Sequence, residues 1–448
     1  MLKEAVWQDR RSGSEKERPQ DPRSRYERDR SRVIHSAAFR RLQSKTQVLG
    51  IREGDFHRTR LTHTMEVAQI ARGIVLRLRQ IQPDLWKDDE ESVIPDLPLI
   101  ETICFCHDLG HPPFGHSGER ALNYVMREHG GFEGNGHSLR LIARLESRKS
   151  GYGLDLTRRA ILGILKYPAP YSEAINPNQC EPYPPVAPGL KPPKCFLDTE
   201  KQVFTWLLEP LSDADRGVLT GDDRWSRLPG SEKKHGSTKY KTIDCSIMEV
   251  ADDIAYGVHD LEDAIVLGLV TKSELMNRID KNNNYFMYKS DTDRSIYSIL
   301  EQLFSDDGNN RKEAVGALVN EIISNVFIYC HEHMESDIFK YRCVIKEESK
   351  ELLTILKVVA RENVIERQQT QTLEHRGRLM IKRLFKAFES DPEKLLSASA
   401  KKKYMEASNE DNRKRVICDY IAGMTDEYAT RMYERLFVPR EGTVFDRL

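Results

Sequence analysis

The apolar run Ile100–Cys106 ends abruptly on His107-Asp108, and this junction constrains the chain more than any other short stretch. An ionisable pair stands where a buried helix stops. Burying an unpaired carboxylate costs several kcal/mol, and a metal ion is one of few partners that offsets the cost. Adjacent helical positions project ~100° apart, so both side chains reach a single ion at the helix end. A divalent metal held by imidazole and carboxylate needs more than two ligands, so the fold has to bring others from elsewhere in the chain. His63, in Arg60–Val67, and one aspartate of the pair Asp252 and Asp253, in Ala251–Tyr256, are candidates, each a polar group inside an apolar helical pattern. Spacing alone leaves open whether His63 only hydrogen-bonds in a core and whether both aspartates face solvent.

The rest of the chain is read around that junction. From Val33 the apolar residues recur at roughly helical intervals. Further helices are expected over 59–82, 98–109, 117–129, 137–148, 155–166, 197–209, 242–268, 272–280, 291–305, 311–332, 346–388 with a break, and 410–437. The proline-dense segment 176–194 and the Gly/Asp/Ser/Lys-rich segment 220–241 read as loops. No run of alternating β-branched residues with hairpin turns stands out, so the expected class is all-α. The expected division is a polar, Arg-rich arm over 1–30 that is solvated and partly ordered, a catalytic core over 31–270 that includes both loops, and a helical region over 271–448 packed on it.

Composition removes several functions. The 448 residues carry 69 Lys+Arg against 70 Asp+Glu, a formal net charge of −1 that excludes a globally basic nucleic-acid coat and an acidic solvating tail. With 39% hydrophobic residues and so little net charge, the chain does not meet the conditions for disorder. No run approaches the ~20 apolar residues of a membrane helix, and the charged N-terminus has no signal-peptide core. The eight cysteines are dispersed without a CxxC pair, which leads to the expectation of a reduced, cytoplasmic protein with Cys104 and Cys106 as core thiols.

The order His63, His107-Asp108, Asp252 resembles the H…HD…D signature of the HD-domain metal-dependent phosphohydrolases. The similarity extends further. Phe39–Val48, Arg58–His63, His107–Glu119, Phe132–Asn135, Lys166–Pro168, Met248–Tyr256 and Asp419–Asp426 are similar to stretches of the bacterial deoxyguanosine triphosphate triphosphohydrolase family, in order from about residue 25 to residue 437. One departure is His137, where the family pattern leads to Gln.

The resemblance implies an HD-domain helical fold with additional C-terminal helices, and hydrolysis of dGTP, or of deoxynucleoside triphosphates (dNTPs) more broadly, to deoxynucleoside and inorganic triphosphate. It implies one divalent ion per active site (Mn²⁺, Mg²⁺, Fe²⁺, Co²⁺ or Ni²⁺) on His63, His107, Asp108 and Asp252. His116 and Glu119 become a catalytic dyad, with His111 beside them as a phosphate contact or a structural group. Arg60, Lys166, Tyr167 and Asn135 would face the triphosphate, with Arg58 and Lys194 as weaker candidates. Tyr256 would press on the deoxyribose C2′, while Gln47 and Asp260 bind the 3′-hydroxyl. A symmetric homo-oligomer, hexamer or tetramer, with nucleotide or single-stranded DNA as effector and no membrane attachment, completes the expectation. The alternatives are an HD phosphohydrolase for another nucleotide and a nucleotide- or DNA-responsive regulator with little turnover.

Overall fold

The computed structural model describes residues 4–13, 20–47, 58–87, 92–146, 148, 150–176, 191–231, 234–281 and 295–439. Three helices form the frame that carries the site. Arg60–Ile81 starts at Thr59, whose hydroxyl accepts from the Thr62 amide while Thr62 accepts in return from the Thr59 amide. Its buried stripe runs through His63, Val67, Ile70, Ile74 and Leu78, at helical spacing. Leu97–Cys106 is buried nearly all round, as its almost wholly apolar sequence requires. Ile243–Val266 is capped by Thr242 accepting from the Cys245 amide and packs against both other helices.

Two apolar clusters divide the interior. The larger runs from Tyr26 to Val364 and contains the three frame helices. The smaller joins Ala121, Leu122 and Met126 of the helix Gly115–Met126 to Gln368–Ser390, Glu410–Ala422 and Asp426–Phe437. The C-terminal helices therefore pack on the element that follows the His107-Asp108 motif. The apolar stripes of the late helices serve these cores: Leu318, Ile322, Ile417 and Ile421 are all fully or nearly fully buried.

The described residues are all-α apart from two small antiparallel ribbons. One, Trp225–Arg227 with Ser237–Thr238, lies in the expected polar loop 220–241. The other corrects the helix expected over 311–332. That helix, Gly308–Ser324, stops at Asn325, and Val326–Cys330 pairs with Tyr341–Ile345 instead. The reason is local. Val-Phe-Ile-Tyr-Cys is β-branched and aromatic, and a short apolar run does not reveal its period. The segment 346–388 breaks as expected, at a π-helical turn over Arg361–Ile365, and 410–437 is interrupted near Gly423. Of the proline-dense segment 176–194, residues 177–190 lie outside the described residues.

The Arg-rich N-terminal stretch is not a solvated arm throughout. Arg25–Ile34 is a capped helix, and its buried Asp29 accepts from Arg10 at 2.6 Å and from the Thr157 amide at 2.8 Å. Among the described residues, no helix is long and apolar enough to cross a membrane.

Candidate active site

The three frame helices bring four ionisable groups to one point. His63 Nε2 lies 3.2 Å from Asp252 Oδ1, and His107 Nε2 lies 3.8 Å from that oxygen and 3.4 Å from Asp108 Oδ1. His63, His107 and Asp108 are all buried, with ligating atoms within 4.8 Å of one another. His107 Nδ1 sits 2.6 Å from the Cys104 carbonyl, which fixes the proton on Nδ1 and turns the Nε2 lone pair inward. That Nε2 is buried without a hydrogen-bond partner. A buried lone pair facing two carboxylates is what a cation would satisfy, so the residues present fit a divalent metal. Burial also drives His107 toward the neutral form that a metal requires. Asp253, the other aspartate of the pair, points away to Lys357.

Each carboxylate keeps a second partner. Asp108 Oδ2 accepts from Arg60 Nη1 at 2.5 Å, and Asp252 Oδ2 accepts from Lys166 Nζ at 3.1 Å. Burial alone would raise both carboxyl groups; the Arg60 guanidinium holds Asp108, and Lys166 and the hydrogen bond with His63 hold Asp252, well below the usual carboxylate range. Both are anions as found.

The segment after Asp108 folds back by close backbone contact. A Cβ on Gly110 would meet Gly134 O at 2.1 Å and Ser138 N at 2.2 Å, so only glycine lets this turn lie on Gly134–Arg140. Phe114 then adopts a left-handed conformation (φ 62°) and starts Gly115–Met126. On that helix His116 Nδ1 faces Glu119 Oε2 at 3.0 Å, and Glu119 Oε1 accepts from the Gly134 amide at 2.8 Å. Glu119 is buried, whereas 64% of the His116 side chain is exposed. Burial would raise Glu119, but Lys194 and His116 hold it anionic. His111 stacks edge-on to His116 at 5.7 Å, with Nδ1 3.2 Å from Asp108 Oδ1; burial lowers its pKa to about 3.

Asn135 Nδ2 donates to buried Glu133 at 2.8 Å, and Lys194 Nζ donates to the same carboxylate at 2.8 Å while lying over the Tyr167 ring. Arg58 does not face the ligand cluster; it is held by Glu66, Asp263 and the His259 carbonyl. Along Ile243–Val266, Asp252, Tyr256 and Asp260 follow at intervals of four, and Tyr256 is half-buried. Asp260 is buried with Oδ2 unpartnered, and burial pushes its pKa up to about 7 despite His63 and Arg58. Gln47 likewise has a buried, unpartnered Oε1.

Sequence reasoning passed over several neighbours. Lys45 is buried, its Nζ donating to the His111 carbonyl at 2.5 Å and to the Ala422 carbonyl at 3.2 Å. Asp426 accepts from the Thr46 and Phe114 amides. His137, already marked as the departure from the family pattern, donates from Nδ1 to the Gly110 carbonyl at 3.1 Å, with Nε2 3.5 Å from Asp419 Oδ1. Lys45, Asp419 and Asp426 all stand inside motifs that carry the family resemblance, and that was the available signal.

Comparison with known proteins agrees with this geometry. Residues 60–172 match the HD domain model, and residues 343–435 match the phosphohydrolase-associated domain model. A protein of Shewanella baltica (strain OS195) described as deoxyguanosinetriphosphate triphosphohydrolase-like is 44% identical over 446 residues, 98% of each chain. Proteins of the same description from Shewanella loihica and Shewanella halifaxensis are 43% and 42% identical, each over 99% of both chains. The chain belongs to the deoxyguanosinetriphosphate triphosphohydrolase-like family of HD-domain phosphohydrolases.

Proposed function

We propose that this chain hydrolyses deoxynucleoside triphosphates, dGTP foremost, at the α-phosphorus, releasing a deoxynucleoside and intact inorganic triphosphate. The observation that carries the reading is the run Asp252, Tyr256, Asp260 on one helix. It begins at the ligand cluster and ends at Asp260 Oδ2, a buried oxygen without a partner, as is Gln47 Oε1. Asp260 Oδ2, one turn beyond half-buried Tyr256, and Gln47 Oε1 are both acceptors in want of a donor, and a sugar hydroxyl would give its one proton to one of them. A 2′-hydroxyl pressed against Tyr256 would lose its water without gaining a partner, which penalises ribonucleotides.

His63, His107, Asp108 and Asp252 would hold the divalent cation, which when bound supplies Lewis acidity toward phosphate oxygens. Arg60 and Lys166, already paired to the two ligand carboxylates, set positive charge beside the triphosphate, and Lys194, Tyr167 and Asn135 extend that edge. His116, its Nδ1 turned to Glu119, has Nε2 free to hold or release a proton as the bond from phosphorus to the sugar oxygen breaks. The names of the Shewanella relatives support dGTP as the first substrate to try.

Product analysis by ion-exchange chromatography is the test. Triphosphate as the first product is expected; pyrophosphate or monophosphate would overturn the reading. The same proposal includes a symmetric homo-oligomer and control by nucleotide or single-stranded DNA. A fully active monomer in sedimentation at micromolar concentration would remove the assembly from it.

A further inference from the structure

The two ends of the proposed site lie on different segments, and one carboxylate from the C-terminal region holds both. Asp426, in the first turn of Asp426–Phe437, accepts from the Thr46 amide on Oδ2 at 3.0 Å and from the Phe114 amide on Oδ1 at 3.0 Å. Thr46 precedes Gln47. Phe114 is the left-handed residue that launches the helix of His116 and Glu119, two positions before His116. Asp426 is buried, which raises the cost of leaving its carboxylate or either amide unpaired. Buried Lys45, beside Thr46, closes the same junction from the other side by donating to the His111 and Ala422 carbonyls.

We infer that Asp426 is a positioning residue for the reaction: by binding both amides it sets Gln47 at the sugar end and His116 at the proton-transfer end in one register. This rests on the reading of the site as a deoxynucleoside triphosphate hydrolase. A carboxylate with two diverging lone-pair directions suits two amide donors, and an isosteric amide does not, because its NH₂ would face one of the N–H groups. Sub-ångström displacement of groups that must meet a reacting phosphorus is enough to slow a reaction severely.

Asp426→Asn in the full-length, metal-loaded protein is the test, with dGTP and its 2′,3′-dideoxy analogue as probes. The kcat per folded molecule is expected to fall about tenfold or more for both, because His116 shifts. In addition the preference for the substrate bearing the 3′-hydroxyl is expected to shrink about tenfold, because Gln47 shifts. A role confined to holding the helix would lower only the folded fraction and leave that preference intact. Thr425→Ala supplies the control: it removes the cap of the same helix, where the Thr425 hydroxyl accepts from the Tyr428 amide, without touching Thr46 or Phe114. It is expected to keep the preference, and an equal collapse in this variant would overturn the inference, as would an unchanged kcat and preference in Asp426→Asn. Should Asp426→Asn fail to fold, Asp426→Ser is measured in its place. If that also fails, amide exchange in the wild-type chain decides, with joint protection of Thr46 and Phe114 expected and rapid exchange of either contradicting the tie. A wild-type protein that releases no triphosphate from any dNTP would instead count against the proposed function.

Discussion

Asp108 and Asp252 divide their oxygens in the same way, one toward the imidazoles and one toward a cation, Arg60 or Lys166. The division keeps both carboxylates ionised, Asp108 buried and Asp252 partly so, and leaves an inward oxygen on each for a metal. Replacing His107 or Asp108 by Ala is therefore expected to abolish bound metal and activity while helicity stays near the wild-type value. Elemental analysis beside circular dichroism decides it, and full metal occupancy with lost activity would refute the ligand assignment. Tyr256→Ala opens the wall next to the proposed C2′ position, and the preference for dGTP over GTP is expected to drop by about tenfold or more, read from the two kcat/KM values. The four groups that meet in space were candidates by pattern, as polar residues of ligand type within or at the end of apolar helices, but the choice of Asp252 over Asp253 came from the family resemblance. Asp426 and Lys45 were not candidates, because they act through backbone amides and carbonyls, and no side-chain spacing announces such a partner.

At the scale of elements, the helical class followed from periodicity, and its one clear failure has a plain cause. Val326–Cys330 continues the apolar character of Gly308–Ser324, so the pattern does not change where the structure does; the strand becomes evident only with its partner Tyr341–Ile345, beyond a connection that holds the short helix Asp337–Lys340. Glycines tell more about this site than periodicity does. A Cβ on Gly118 would sit 2.0 Å from the Pro113 carbonyl oxygen, at the point where the helix of His116 folds over the preceding turn. Gly118→Ala is thus expected to destabilise by about 1–3 kcal/mol and to displace the dyad. Gly316, in the interior of Gly308–Ser324, has nothing within 4 Å of its would-be Cβ. There the same change is expected to stabilise by about 0.5–1 kcal/mol through helix propensity and a smaller unfolded ensemble. Denaturation midpoints of the two variants should move in opposite directions. Parallel shifts would show that backbone approach at Gly118 does not matter.

Across the whole molecule, the C-terminal helices hold the site region through polar contacts as well as apolar packing. Arg140 grips Asp419 with Nε at 3.0 Å and Nη2 at 2.7 Å, and reaches buried Glu200 with Nη1 at 2.8 Å. His137, which stands where Gln was expected, links the Gly110 carbonyl to the same aspartate. Burial would raise Asp419, yet Arg140 and His137 outweigh it and hold the carboxyl well below its ordinary range. A carboxyl whose pKa is depressed by folding contributes stability that is complete above its unfolded value of about 3.9 and is lost as pH falls toward the folded value. Asp419→Asn keeps the shape of the side chain and removes the charge. It is expected to cost about 2 kcal/mol at pH 7, the loss of charge-assisted hydrogen bonds to Arg140. The gap between wild type and variant is then expected to narrow as the medium is taken below pH 4, because the wild type loses by protonation what the variant has already lost. Urea midpoints of both proteins at neutral and acid pH measure it. A gap that stays constant or widens on acidification would show that Asp419 holds the two parts together by packing, and that its charge contributes nothing to the joint.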